Sequence, residues 1–429
     1  MEKLYNDAKA IIDRSIKENM PNEAVSMALK NHTFSGNLYL AAIGKAAWTM
    51  TDSAYKELGS RIKRGFVITK YNHSLGDIPN IEIIEAGHPH PDENTITGTK
   101  KIIQMAENLG EGDELLFLIS GGGSALFEDP LPGLTLTDIV ELNSQLLSCG
   151  ADIVEINMIR KRLSSVKAGR FAQICSPAKV FTVVLSDVLG DRLDSIASGP
   201  AAPDMSATEE VMAVVEKYKL KINDTVKEYL TKETPKSLNN VETVITGSVR
   251  TLCDSAAEAA ASLGYTPHVL CTEMNCEARE AGRLISSLAK EIAYGDNISR
   301  FRKPCAVILG GETVVNLKGS GLYTYNANGQ TGKGGRNQEL VLAAAEGIAE
   351  IDNLVIFSIG SDGTDGPTDA AGGIVDGSTL KKLKEKGINL RSMLDNNDSY
   401  NALAAVDGLI KTGPTGTNVN DVAVVLAGC

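Results

Sequence analysis

Unbroken apolar runs recur along the chain, spaced so that each gap can hold a helix: LYLAAI (38–43), GFVIT (65–69), IEIIEA (81–86), LLFLIS (115–120) and VFTVVLS (180–186). A sheet wetted on one face alternates apolar and polar residues, whereas continuous runs belong to strands covered on both faces. The pattern therefore predicts parallel strands with helices on either side. This is an α/β domain, Rossmann-like, with a mainly parallel sheet. The polar stretch KETPKSLNN (232–240) carries a proline and no apolar periodicity, which suits a boundary between domains at 1–235 and 236–429. Beyond it the rhythm resumes with VETVITG (241–247), TPHVLC (266–271), CAVILGG (305–311), NLVIFSIG (353–360) and DVAVVLAG (421–428), giving a second, smaller α/β domain. The glycine-rich stretch 319–335 reads as a long loop. At the N-terminus, Leu4, Ala8, Ile11 and Ile12 fall at helical spacing among mixed charges, unlike a signal peptide.

Composition narrows the function. A formal net charge of −12 repels phosphate backbones, and 5% aromatic residues leave little to stack bases on, so nucleic acid is not an expected partner. No apolar run approaches the ~20 residues of a membrane span, so no membrane partner is expected either. Seven cysteines, an odd number without a CxxC pair, read as reduced thiols of a cytoplasmic protein. An anionic substrate would have to meet a local basic patch working against the overall field.

The chemistry is concentrated at the strand ends, which run into glycine-rich or acidic turns: IGKAA (43–47), SGGGSAL (120–126), SDVLGD (186–191), LGGE (309–312) and SIGSDGTDG (358–366). In open parallel sheets, ligands bind beyond the carboxyl ends of strands, and glycine lets backbone N–H groups reach an anion. No GxxxxGK[ST] loop is present, no GxGxxG fingerprint follows a strand, and no GxSxG elbow occurs. Lys45 opens a helix after a glycine, where the helix dipole favours acids. It is either a surface lysine or an anion clamp. Arg336, after two glycines and before a long apolar helix, repeats the oddity. In INMIRKRLSSVKAGRFA (156–172), helical spacing puts Arg160, Ser164 and Lys167 on one face, either solvated or bound to nucleotide phosphates. Asp187 and Asp191, and Asp362, Asp365 and Asp369, either cap their own turns or serve magnesium; their spacing does not fit a DxDxDG calcium loop. His88 and His90, in the proline-rich AGHPHPDE, either belong to a rigid turn or serve the cleft.

Taken in order, IGKAA, AGHPHPDE, LISGGGSALFEDP, INMIRKRLSSVKAGR, LSDVLGDRLDSIASGP, LGGETVV, GKGGRNQE and SIGSDGTDGPTDAAGG resemble the glycerate 2-kinases of the MOFRL type. The ending GPTGTNVNDVAVVLAG is similar to theirs, so the resemblance spans nearly the whole chain. It implies two α/β domains with the active site between them, and transfer of phosphate from ATP, with Mg2+, to D-glycerate to give 2-phosphoglycerate. Lys45 and Arg336 match the family's basic active-site positions. By position, Asp187 would take the proton of the 2-hydroxyl or share the metal with Asp362. Ser120, Gly121, Gly122, Gly123 and Ser124 would bring N–H groups onto a phosphate, with Lys167 beside the nucleotide. A homodimer is the expected assembly. Ala168, where glycine is expected, and Leu189 and Arg192 depart from the family pattern. The rival readings are an NAD(P)H-dependent hydroxypyruvate reductase, against which the absent dinucleotide fingerprint counts, and a non-catalytic sugar-phosphate-binding protein.

Overall fold

The first sheet is built on β1 (Asn37–Ile43), β2 (Ile62–Lys70), β3 (Ile81–Ala86), β4 (Asp113–Ile119), β5 (Lys179–Leu185) and β6 (Val241–Gly247). In the computed structural model, which describes residues 1–295, 301–317 and 332–429, these strands lie in the order β3-β2-β1-β4-β5-β6. Neighbours from β3 to β5 pair in parallel, as the unbroken apolar runs predict. Leu115 to Ile119 are all buried, because helices cover both faces of the central strand. Below the end of β4, Phe117, Phe127 and Phe171 pack ring against ring with centroids 4.9 to 6.0 Å apart. Edge-on aromatic packing of this kind fixes the chain that follows the strand.

The second sheet contains β7 (Thr266–Met274), β8 (Cys305–Gly311), β9 (Leu354–Gly360), β10 (Gly372–Asp376), β11 (Leu409–Ile410) and β12 (Asp421–Ala427), in the order β11-β10-β9-β12-β8-β7. Only β7 and β8 pair in parallel; β12 runs antiparallel between β8 and β9, and β10 antiparallel to β9. The parallel pairing expected from the apolar runs therefore fails for most of this sheet: such a run requires that both faces be covered, which a mixed sheet under helices also does, and DVAVVLAG sits in one.

The chain divides into two compact units, residues 21–246 and residues 1–20 with 247–429. Val241–Gly247, read from the sequence as the opening strand of the second half, pairs as the edge of the first sheet. Helix Glu2–Glu18 belongs with the second unit. Its buried stripe Leu4, Ala8, Ile11, Ile12 and Ile16 is joined by a hydrogen bond from Tyr265 Oη to Asp7 at 2.6 Å. Each large aliphatic so buried contributes about 1.5–3 kcal/mol, which outweighs the sequence distance. No helix among the described residues is long and apolar enough to cross a membrane.

Candidate active site

In unit 21–246 the strand order reverses between β1 and β4. Turns leaving two such strands diverge and leave a crevice at their carboxyl ends. Both glycine turns sit there and are tied together: the Lys45 N–H donates to Gly121 O at 2.9 Å and the Ala46 N–H to Ser120 Oγ at 3.0 Å. Ser120 is thus a buried latch. Gly122 has φ of +86°, and a Cβ there would lie 3.0 Å from the His88 ring and 3.3 Å from Lys45 Cε. A Cβ on Gly121 would fall 2.3 Å from Asp187 Oδ2. The bare glycine backbone therefore lets Lys45, His88 and Asp187 converge, and among the described residues the N–H groups of Gly121 and Gly122 donate to no backbone carbonyl. Helix Ala47–Leu58 starts here with no acid in its first turn.

The site is electropositive inside an acidic protein. Burial, and then the positive fields of Lys45, Lys70, His73 and His90, push the His88 imidazole down to about 4, so it is neutral at pH 7. An anion seated beside Lys45 should offset part of that field. Titrating His88 by NMR with and without D-glycerate is expected to move its pKa up by about a unit; an unchanged value would mean that no anion binds there.

Lys167 is placed differently from the sequence expectation. The helix ends at Leu163, so Ser164 and Lys167 are not on it, and Lys167 is wholly buried. Its Nζ donates to Ser124 O and Phe127 O, both at 2.9 Å, and pairs with buried Glu128 at 2.9 Å. Arg160 Nη2 adds a bond to Ser124 O at 3.3 Å. Instead of facing a phosphate, Lys167 grips the short helix Gly123–Leu126 from behind. Ser124 Oγ lies 3.1 Å from Ser198 Oγ. Ala168 has φ of +55°, left-handed backbone that suits glycine, which accounts for the glycine expected there.

In the second unit the antiparallel register sets Asp421, the first residue of β12, opposite both Gly311 and Gly360. Arg336, at the start of helix Arg336–Gly347, bonds Asp421 through Nε at 2.5 Å and Nη2 at 3.0 Å, and Glu312 through Nη1 at 2.9 Å. Burial pushes the Asp421 carboxyl up to about 6 against the pull of the guanidinium bonded to it. Burial works against the Arg336 charge too, but the bond and charge of Asp421 and the charge of Glu312 hold it above its ordinary value. A Cβ on Gly360 would lie 3.2 Å from Asp362 Oδ1 and 3.3 Å from Asp421 Oδ1, so Asp362 stands by this pair. Asp365 is a capping residue: its carboxylate accepts the N–H groups of Asn337 at 3.1 Å and Gln338 at 2.8 Å. Asp369 pairs at the surface with Tyr400 and Lys411. Beside Arg336 opens a pocket of about 560 Å3.

No group of three His, Cys, Asp or Glu among the described residues is arranged to hold a metal ion. Magnesium usually takes one or two carboxylates and otherwise phosphate oxygens and water, which single carboxylates such as Asp187 and Asp362 fit.

Residues 7–231 match the model described as a domain of unknown function (DUF4147), and residues 305–421 match the MOFRL family. The chain is 50% identical over 425 residues to D-glycerate 2-kinase of Thermotoga maritima, covering 99% of each. It is 39% identical over 407 residues to glycerate 2-kinase of Pyrococcus horikoshii, covering 92% of this chain and 89% of that one. The crystal structure of glycerate kinase from Thermotoga maritima superposes with a TM-score of 0.93 over 100% of both chains. The chain belongs to the MOFRL-type glycerate kinase family.

Among the expected site residues of this glycerate kinase family chain, Lys45, Gly121, Gly122 and Asp187 come together in one unit, and Arg336 and Asp362 in the other. Glu312 and Asp421, the two partners of Arg336, escaped the sequence reading as site residues. Glu312 closes the LGGE turn and was legible only as a strand end. Asp421 opens an apolar run and carried no signal, since its place depends on which strands flank β12. His88 was left between a rigid turn and a site role; its contact with Gly122 puts it at the site. Part of the glycine-rich stretch 319–335, up to residue 331, lies outside the described residues.

Proposed function

We propose that the chain transfers the terminal phosphoryl group of ATP to the 2-hydroxyl of D-glycerate, giving 2-phosphoglycerate and ADP. The observation that carries this reading is the convergence of Lys45, neutral His88 and Asp187 on glycines whose backbone is bare, at a strand-order reversal. Phosphoryl transfer asks the protein to position groups and spread negative charge more than to form covalent bonds. Lys45 and the N–H groups of Gly121 and Gly122 grip an anionic oxygen, carboxylate or phosphate. Arg336, held rigid by Asp421 and Glu312, presents its outer N–H groups to the other anion. Asp187 accepts the proton leaving the 2-hydroxyl. Magnesium would be held by Asp187 or Asp362 together with phosphate oxygens, and when bound it neutralises phosphate charge. Lys167 and Ser120 act through the backbone, by keeping the glycine turn in shape.

A reductase reading would need a dinucleotide cradle, and neither IGKAA nor SGGGSAL carries one. The proposal extends to a cytoplasmic homodimer with seven free cysteines, the assembly being open to test by analytical ultracentrifugation. The decisive experiment is an ADP-release assay with ATP, magnesium and D-glycerate, with phosphorus NMR of the product. A 2-phosphoglycerate resonance is expected. ADP release only with another hydroxy acid would move the substrate, and oxidation of NADH with hydroxypyruvate would replace the reading altogether.

A further inference from the structure

Among the described residues the Lys45 ammonium has no hydrogen-bond or ion-pair partner, so its backbone decides where it can reach. That backbone is held on both sides. Its N–H donates to Gly121 O at 2.9 Å, and its carbonyl accepts from Thr69 Oγ1 at 3.3 Å and from His73 Nδ1 at 3.1 Å. Helix Ala47–Leu58 begins further along, so the Lys45 carbonyl lies outside its ladder, and among the described residues no backbone N–H donates to it. Thr69 stands near the end of β2 and is wholly buried. His73 comes from the turn that follows, most of which is exposed.

The turn is braced against the next strand and against the helix. The Glu85 carboxylate on β3 accepts the N–H groups of His73 at 3.1 Å and Ser74 at 2.9 Å, and Trp48 Nε1 donates to Gly76 O at 2.7 Å. Asn72 takes φ of +63°, the left-handed backbone that a tight reversal needs, just before the histidine. The ring is thereby turned back onto the site, close enough for its field to bear on His88. A carbonyl only accepts, so Nδ1 must carry a proton, and in the neutral ring Nε2 keeps the lone pair.

We propose that His73 is a positioning residue for phosphoryl transfer: by donating Nδ1–H to the Lys45 carbonyl, it fixes the point from which the Lys45 ammonium reaches its anion. A group that acts at the end of a long side chain needs its base held by such supporting bonds. The inference rests on the phosphoryl-transfer reading and names the residue that sets the reach of its lysine.

Two amide variants separate the ring nitrogens, since asparagine sets its nitrogen near the place of Nδ1 and glutamine near that of Nε2. With ATP, magnesium and D-glycerate, His73→Gln should lose about ten- to hundredfold in kcat at similar KM, the scale of a group displaced by about an ångström. His73→Asn should recover most of that loss. In a Lys45→Ala background the His73→Gln change should cost less than about twofold, because the group it positions is gone. A purely structural role would cost as much without Lys45 as with it. Long-range 1H–15N spectra of the wild-type protein at alkaline pH, where imidazoles are neutral, read the tautomer without turnover or any variant. Nδ1 protonated and Nε2 bare is expected, the form that free histidine disfavours. The opposite tautomer would overturn the assignment, as would asparagine no better than glutamine, or an equal cost of His73→Gln in both backgrounds. If the wild-type protein yields no phosphoglycerate, it is the phosphoryl-transfer reading that fails, and the tautomer still decides whether His73 holds Lys45.

Discussion

Lys45→Ala is expected to lower kcat/KM for D-glycerate by about 10²–10³-fold while the protein melts at an unchanged temperature. The size follows from the role: one preorganised donor facing charge that develops in the transition state is worth about 3–4 kcal/mol. The unchanged stability follows from the surroundings. Among the described residues the Lys45 ammonium makes no hydrogen bond or ion pair; the contacts near it run through its backbone. Surface substitutions without such partners stay within about 0.5 kcal/mol. Arg336→Ala would be a less clean test, because it strands the buried Asp421 as well as removing a cation. Near-native turnover in Lys45→Ala would remove Lys45 from the site and leave the glycine turn without its cation.

Lys167→Met is expected to destabilise the protein by about 3–5 kcal/mol, since it leaves Glu128 as an unpaired charge in the core. For a unit of this size the loss amounts to a drop of on the order of 10 °C in Tm. The double variant Glu128→Gln, Lys167→Met should recover part of the loss, because the stranded carboxylate is gone while the buried Arg160 guanidinium loses the charge of Glu128. Its kcat should stay below wild type, since Ser124 O and Phe127 O lose the donor that fixes the glycine turn. Thermal unfolding of the single and double variants, together with their kcat, separates charge burial from positioning. If Lys167→Met melts like wild type while losing affinity for ATP, Lys167 faces the nucleotide after all.

These two lysines show how far the sequence could be read. Both lie in basic, glycine-bearing stretches, and both looked like candidates for an anion. Lys45 directly follows a strand and a glycine, so its neighbourhood was set by adjacent residues and could be read from them. Lys167 was judged by helical spacing from Arg160, but the helix stops at Leu163 and the chain turns inward through Ala168 at positive φ. Its partner Glu128 lies in another element altogether. Short strands also escaped: Gly372–Asp376 and Leu409–Ile410 are too brief, and the first too glycine-rich, to stand out as apolar runs.

By itself the sequence determined that buried strands alternate with helices, that the chain forms α/β units, that glycine turns close several strands, and that a basic residue stands after two of those turns. Periodicity and backbone freedom are properties of neighbouring residues, so they are written locally. Motif order along the chain, equally linear, sufficed for the family. Only the tertiary structure decided that β1 and β4 are neighbours where the strand order reverses, which brings Lys45, His88 and Asp187 onto one glycine turn. It alone put β12 antiparallel between β8 and β9, so that Asp421 meets Arg336, and paired Lys167 with Glu128 in the core. Each of these depends on contacts between distant segments, whose register is set by the packing of whole sheets and leaves no trace in any short stretch of chain.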